Sequence, residues 1–147
     1  MLIRQFDRKN AAFVEAGNVP LPTSGWIRAI RTLLNMSFQQ LGNRMNITLQ
    51  AVKGIEQREK DGAVTIKTMQ EVARAMDLKF IYGFVPIDGS IEKLIERKAY
   101  EAARKIVGRT NASMKLEDQA NSKARLEEAV DELAMEIKKE VPKYLWD

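Results

Sequence analysis

Residues 38–57, FQQLGNRMNITLQAVKGIEQ, contain two short helical patterns separated by a turn, and this stretch constrains the fold most strongly. Gly42 is small at a place where the two helices must approach closely, and Asn46 tolerates the left-handed backbone of a tight turn. Ser37, just before this stretch, is suited to cap the first helix, and Thr48 is suited to cap the second. The apolar positions expected to face a common core are Leu41, Met45, Ile47, Val52 and Ile55. This spacing predicts a helix-turn-helix.

Gly54 lies in the middle of the second helix, which otherwise has a polar outer face. Glycine inside a helix costs about 0.5–1 kcal/mol relative to alanine. Because it has no side chain, we expect the backbone to approach a ligand closely there. Packing of Val52 and Ile55 beneath it is expected to offset the cost.

Helical patterns continue on both sides of this stretch. Residues 2–16 have helical spacing, and Gly17 fits the left-handed position after a helix end. Ser24 is expected to cap a helix that contains Trp26 and Ile27. Thr65 or Thr68 begins another helix, whose inward positions are expected to be Ile66, Met69, Val72, Ala73 and Met76. Residues 90–111, capped by Ser90, and 115–140 are two longer helices that we expect to form a hairpin.

Residues 79–86, KFIYGFVP, change from helical spacing to alternation. Phe80, Tyr82 and Phe84 fall on one face, and Pro86 ends the run, which is typical of a β-strand. A single strand leaves its backbone groups unpaired. We therefore expect it to pair with a second copy of itself, with the C-terminal segment VPKYLW, or with another protein.

The composition excludes several classes of enzyme. The 147 residues include no cysteine and no histidine, so thiolate metal sites and serine–histidine or cysteine–histidine catalysis are excluded. No carboxylate or lysine constellation and no nucleotide-binding glycine loop was found, so we predict neither an enzyme nor a cofactor or metal site. The N-terminus has no apolar run typical of a signal peptide, and no stretch approaches a membrane span, so a cytoplasmic location is expected.

The positive charge is concentrated around the opening stretch. The formal net charge is +4, and residues 24–61 hold six Lys or Arg against three Asp or Glu. Residues 62–147 hold fifteen of each. Such a basic region is a modest indication of a nucleic-acid partner.

Several helices together resemble the Cro/repressor-type helix-turn-helix domain, the XRE family, over residues 24–78. The register runs through Met36-Ser37, Leu41-Gly42, Ile47-Thr48, Val52, Ile55 and Glu56, and continues in TIKTMQEVARAMDL. The resemblance implies a five-helix DNA-binding domain within a mainly α chain. Phe38 departs from the glutamine that commonly opens the second helix in this family. Asn46 and Arg58 stand where glycine is usual.

The resemblance also implies which residues contact DNA. The positions that reach base edges in the family correspond to Leu49, Gln50, Ala51, Lys53 and Gly54. We expect Gln50 and Lys53 to contact bases, because glutamine pairs with adenine and lysine donates to guanine, and Leu49 or Ala51 to touch a thymine methyl group. The residues expected to contact phosphates are Thr48, Gln39, Gln57, Arg58 and Lys60.

Nearly the whole chain also resembles a narrower group, the mobile mystery protein A group. The matching segments are GWIRAIRTLLNMS, YGFVPIDGSIEKLIERKA and the C-terminal LWD. The resemblance implies an antitoxin whose partner is a Fic-domain AMP-transferase. Fic inhibitors carry Ser/Thr-x-x-x-Glu-Gly/Asn, and Ser113 and Glu117 match all of it but the last position. The same residues also fit an ordinary helix start, with acids in the first turn.

Two interpretations therefore remain open. The first is a DNA-binding antitoxin that represses its own operon, binds a palindromic operator as a homodimer and neutralises a Fic-domain toxin. The second is a stand-alone dimeric repressor with no toxin partner. In the organisation expected for both, residues 1–23 form a helix and linker, 24–78 bind DNA, and 79–147 form a strand and helical hairpin for dimerisation or partner binding.

Overall fold

A computed structural model of the chain describes residues 2–112 and 119–147. Within these ranges the chain is mainly helical and contains no β-strand, so the predicted mainly α class is confirmed. The α-helices are α1 (Leu2–Ala16), α2 (Trp26–Leu33), α3 (Phe38–Met45), α4 (Leu49–Lys60), α5 (Ile66–Ala75), α6 (Ile91–Ala112) and α7 (Gln119–Glu140), followed by a short 3-10 helix (Lys143–Trp146).

The chain forms two compact units. The central unit is Asn18–Gly83, and the terminal unit combines Met1–Gly17 with Phe84–Asp147. The N-terminal helix, predicted to form a separate segment with the linker, thus groups with the C-terminal helices. Asp7 explains this, because its carboxylate accepts hydrogen bonds from the backbone amides of Ile91 (2.8 Å) and Glu92 (3.1 Å) at the start of α6.

The central unit contains four helices, α2 to α5, and every one of its residues is described. The resemblance to a five-helix domain therefore predicted one helix too many. In this unit α3 packs against α4 and α5, and α2 packs against α4. The buried core is Ile27, Leu41, Val52, Ile55, Met69, Val72 and Met76. Ile66, predicted to face inward, is instead about half exposed (49%).

In the terminal unit α6 and α7 pack against each other in antiparallel order, as a helical hairpin requires. Lys138, near the end of α7, donates hydrogen bonds to Glu92 and Glu96, which lie near the start of α6. The buried core of this unit is Ile95, Ala99, Ala103, Ala134, Ile137 and Leu145. Three of these residues are alanines, and their small side chains allow the two helices to approach closely.

The β-strand predicted for residues 79–86 does not form in the single chain, where these residues have no regular secondary structure. A strand requires a partner for its backbone hydrogen bonds. The described residues supply none, because the C-terminal segment proposed as a partner forms the 3-10 helix instead. Gly17 also departs from its prediction: positive φ is found at Gly25, Gly62 and Gly89 but not at Gly17.

Candidate nucleic-acid interface

The turn between α3 and α4 is fixed by its own residues. Asn46 ends α3 in a left-handed conformation (φ 57°), and its amide donates to the carbonyls of Asn43 and Gly42. A Cβ at Gly42 would lie 2.8 Å from the backbone oxygen of Ile47, so only glycine fits where the turn passes over α3. The left-handed turn predicted at Asn46 is observed, whereas the close approach predicted at Gly42 is to the turn backbone rather than to α4. The turn between the two helices spans only residues 46–48.

Both helices of this pair begin with the predicted side-chain caps. The Ser37 hydroxyl accepts from the amide of Gln40 (3.0 Å), and the Gln40 side chain accepts from the amide of Ser37 (2.8 Å). The Thr48 hydroxyl accepts from the amide of Ala51 (3.1 Å) at the start of α4. These caps satisfy amides that would otherwise lack a partner at the helix starts.

A buried ion pair beneath α4 connects α2, α4 and the residues just before α3. The Arg31 guanidinium on α2 donates to both carboxylate oxygens of Glu56 on α4, each at 3.2 Å. It also donates to the carbonyl of Met36 (3.0 Å), just before α3. Both side chains are almost fully buried. The pair could not be predicted from the sequence, because no spacing links a residue of α2 to one of α4.

The start of α2 is capped from α4 rather than by Ser24, which was predicted to cap it. The Glu59 carboxylate accepts from the amides of Trp26 (2.6 Å) and Ile27 (2.9 Å). Gly25 occupies the N-cap position with φ 87°, and a Cβ there would lie 3.0 Å from a Glu59 oxygen. The cap therefore orients the last turns of α4 relative to α2.

The outer face of α4 carries cations and amides but no free carboxylate. Both acidic residues of the helix point away from this face, because Glu56 pairs with Arg31 and Glu59 caps α2. The predicted contact residues are exposed on this helix apart from half-buried Leu49: Gln50, Ala51, Lys53, Gln57, Arg58 and Lys60. The arrangement is suited to a polyanionic ligand, since phosphate attraction dominates nucleic-acid affinity.

The remaining predicted contacts surround this face. Gln39, on the exposed side of α3, donates to the side-chain oxygen of Asn43 (2.9 Å). Gln57 donates to Asp61 (3.1 Å) at the end of α4. Thr48 has its hydroxyl oxygen occupied by the cap, which leaves its O–H free to donate to a phosphate.

Gly54 and Phe38 each lie close to a cation on this surface. A Cβ at Gly54 would lie 3.3 Å from Nη1 of Arg58, so the glycine leaves room for that guanidinium along the helix. Nζ of Lys53 lies 5.3 Å from the centroid of the Phe38 ring. Phe38 is half-buried and packs against the central core.

The whole net charge of the chain belongs to the central unit. Residues 18–83 contain nine Lys or Arg and five Asp or Glu, a net of +4. The rest of the chain contains fifteen of each, a net of zero. In the terminal unit, hydrogen bonds from Arg4 and Lys138 hold the pKa of Glu92 below its ordinary value.

The other predicted sites fall elsewhere. Phe80 packs against the central core, and its ring stacks on Tyr82 with 5.9 Å between centroids. Tyr82 is 58% exposed and Phe84 is 90% exposed. Ser113 and Glu117, the proposed toxin-inhibitory residues, lie outside the described residues.

No protein-family model, curated protein or solved structure matches this chain. Within the part of the chain that the structure describes, no helix is long and apolar enough to cross a membrane. The same residues contain no cluster of acidic side chains that could hold a metal ion.

Proposed function

We propose that the chain is a sequence-specific DNA-binding repressor of the helix-turn-helix type that also acts as an antitoxin. The observation that carries the DNA-binding part is the outer face of α4, on which Lys53, Arg58 and Lys60 are exposed while Glu56 and Glu59 are engaged with α2. A helix face that exposes cations and no free carboxylate attracts a polyanion more strongly than it attracts a neutral protein surface.

In this proposal α4 enters the major groove, which is wide enough to admit an α-helix. Gln50, in the first turn, pairs with adenine, and Lys53 donates to guanine one turn later. Leu49 or Ala51 touches a thymine methyl group. Gln39, Thr48, Gln57, Arg58 and Lys60 contact phosphates, which fix the orientation of the helix on the duplex.

The repressor is proposed to act as a homodimer, because two copies spaced by about 34 Å match successive half-sites of a palindrome. The candidate dimer element is the segment 79–85. In the part of the chain that the structure describes, the backbone amides of residues 79–83 donate to no other backbone group. Antiparallel pairing of two copies would satisfy these groups. If the Tyr82→Pro variant still sediments as a dimer, this element is not the interface.

The antitoxin role rests on the resemblance to the mobile mystery protein A group, through Ser113 and Glu117. The proposed partner is a Fic-domain protein encoded beside this chain. To test this, the wild-type chain and its Glu117→Ala variant are each co-expressed with the Fic-domain protein. Rescue by the wild type and loss of rescue by the variant support the role. If growth is equally poor with both, and a pull-down recovers no partner, the chain is a stand-alone repressor.

DNA binding is tested with a labelled duplex from the region upstream of the gene. We expect Gln50→Ala and Lys53→Ala to weaken binding, each by about 1–3 kcal/mol, because each removes a base contact. The matched controls are Gln5→Ala and Lys105→Ala, which change the same residue types at exposed positions of the terminal unit. If all four variants bind as the wild type does, the proposed role of α4 is wrong.

A further inference from the structure

The ring of Phe38 connects the buried ion pair to the surface of α4. The guanidinium carbon of Arg31 lies 3.9 Å from the ring centroid, and Nζ of Lys53 lies 5.3 Å from it. The first distance is a stacking contact, and the second is within the range of a cation–π attraction. The ring is thus in contact with one cation that is buried and one that is exposed.

The buried cation cannot move without breaking its other bonds. Arg31 is held by Glu56 through two hydrogen bonds and by the carbonyl of Met36 through a third. Phe38 is the first residue of α3, directly after the N-cap residue Ser37, and it packs against the central core. The ring therefore has a fixed position relative to α4.

Lys53 has no comparable restraint of its own. Its side chain is exposed, and no carboxylate within the described residues forms an ion pair with it. A free lysine side chain samples many rotamers and loses that freedom when it binds. Attraction to the fixed ring reduces the number of positions that the ammonium group occupies before binding.

We propose that Phe38 is a specificity-determining positioning residue that holds Lys53 for donation to a guanine edge. This inference rests on the proposed DNA-binding function and goes beyond it, because it assigns a role in base selection to an aromatic residue that forms no hydrogen bond with DNA. Lys53 is placed by the ring, so the guanine preference at its base pair depends on residue 38.

The arrangement is tested first in the free protein by NMR. A ring at this distance shifts the resonances of the Lys53 side chain, and Phe38→Leu should return them to the values of an exposed lysine. Phe38→Trp keeps an aromatic face and should keep a displaced resonance. Thermal unfolding, monitored by circular dichroism, verifies that both variants fold. Unchanged Lys53 resonances in Phe38→Leu would overturn the inference without reference to DNA.

The second test is selection of bound duplexes from a random pool. With Phe38→Leu we expect the guanine preference at one position per half-site to fall by about two- to fivefold, the factor of an exposed cation–π contact. Phe38→Trp should retain the preference. In a Lys53→Met background, Phe38→Leu should cause no further change, because the cation is already absent.

The outcomes separate the inference from the function on which it rests. If the wild type enriches no sequence, the proposed function and the inference both fail. If it enriches a motif that Phe38→Leu leaves unchanged, only the inference fails. If Phe38→Leu alters the motif equally with and without Lys53, the ring acts through packing and the positioning role is refuted.

Discussion

Replacing Gly54 with alanine should change stability and DNA binding in opposite directions. Glycine destabilises the helix at this position, but its lack of a side chain is proposed to let DNA approach the backbone. Gly54 lies inside α4, where alanine is favoured over glycine by about 0.5–1 kcal/mol. The added Cβ would lie 3.3 Å from Nη1 of Arg58, the end of a flexible side chain that can move aside. We therefore expect Gly54→Ala to raise the free energy of unfolding by up to this amount in urea denaturation.

The same substitution should weaken DNA binding. The new methyl group occupies the space where the backbone of α4 is proposed to approach the bases, and it displaces the Arg58 guanidinium from its place along the helix. Loss of one phosphate contact makes the negative slope of log K against log salt shallower by about 0.9. Affinity for the operator, measured by fluorescence anisotropy over a series of salt concentrations, tests both effects.

Gly108→Ala is the matched control, since Gly108 lies inside α6 and a Cβ there meets nothing within 4 Å. It should stabilise the protein by a similar amount and leave affinity and salt slope unchanged. The reasoning is refuted if Gly54→Ala binds operator with unchanged affinity and slope. It is also refuted if Gly54→Ala destabilises the protein, since that would mean the backbone or core must shift to accept the methyl group.

Three further substitutions test the packing and the ion pairs of the two units. Glu56→Gln should cost about 3–5 kcal/mol of unfolding free energy, because it leaves Arg31 buried without its counter-charge, whereas Arg31→Met combined with Glu56→Leu should cost much less; equal losses would contradict this reasoning. Gly42→Ala should cost about 1–3 kcal/mol in the same urea assay, because its Cβ would meet the Ile47 carbonyl at 2.8 Å and backbone cannot move aside easily. Glu92→Gln should lower the melting temperature at pH 7, and the difference from wild type should shrink as the pH falls below 4.5. The reason is that a carboxyl with a lowered pKa contributes stability that is present above its unfolded pKa and is lost as the pH falls through its folded pKa; a difference that persists to pH 2 would contradict it.

Local features of the central unit could be predicted from the sequence, because short-range rules determine them. The Ser37 and Thr48 caps need a hydroxyl at a helix start, and Asn46 tolerates the left-handed turn. Leu41 and Val52 follow from helical periodicity, and both are buried. The exposure of Gln50 and Lys53 follows from the same periodicity.

Features that depend on distant residues could not be predicted in this way. Ser24 is a plausible cap by residue type, yet Glu59, 32 to 33 positions away from the amides that it binds, caps α2. Asp7 links α1 to α6 across more than 80 positions. The strand at 79–86 has the right alternation, but alternation alone supplies no partner for backbone hydrogen bonds.

Methylation interference on the operator duplex tests the central claim most directly, that the exposed face of α4 contacts bases in the major groove. Methylation of guanine N7 modifies the major groove, and methylation of adenine N3 modifies the minor groove. We predict that N7 methylation of at least one guanine in each half-site blocks binding of the wild type, and that Lys53→Met loses sensitivity at that guanine alone. Binding that is unaffected by N7 methylation, or blocked only by methylation in the minor groove, would contradict the account.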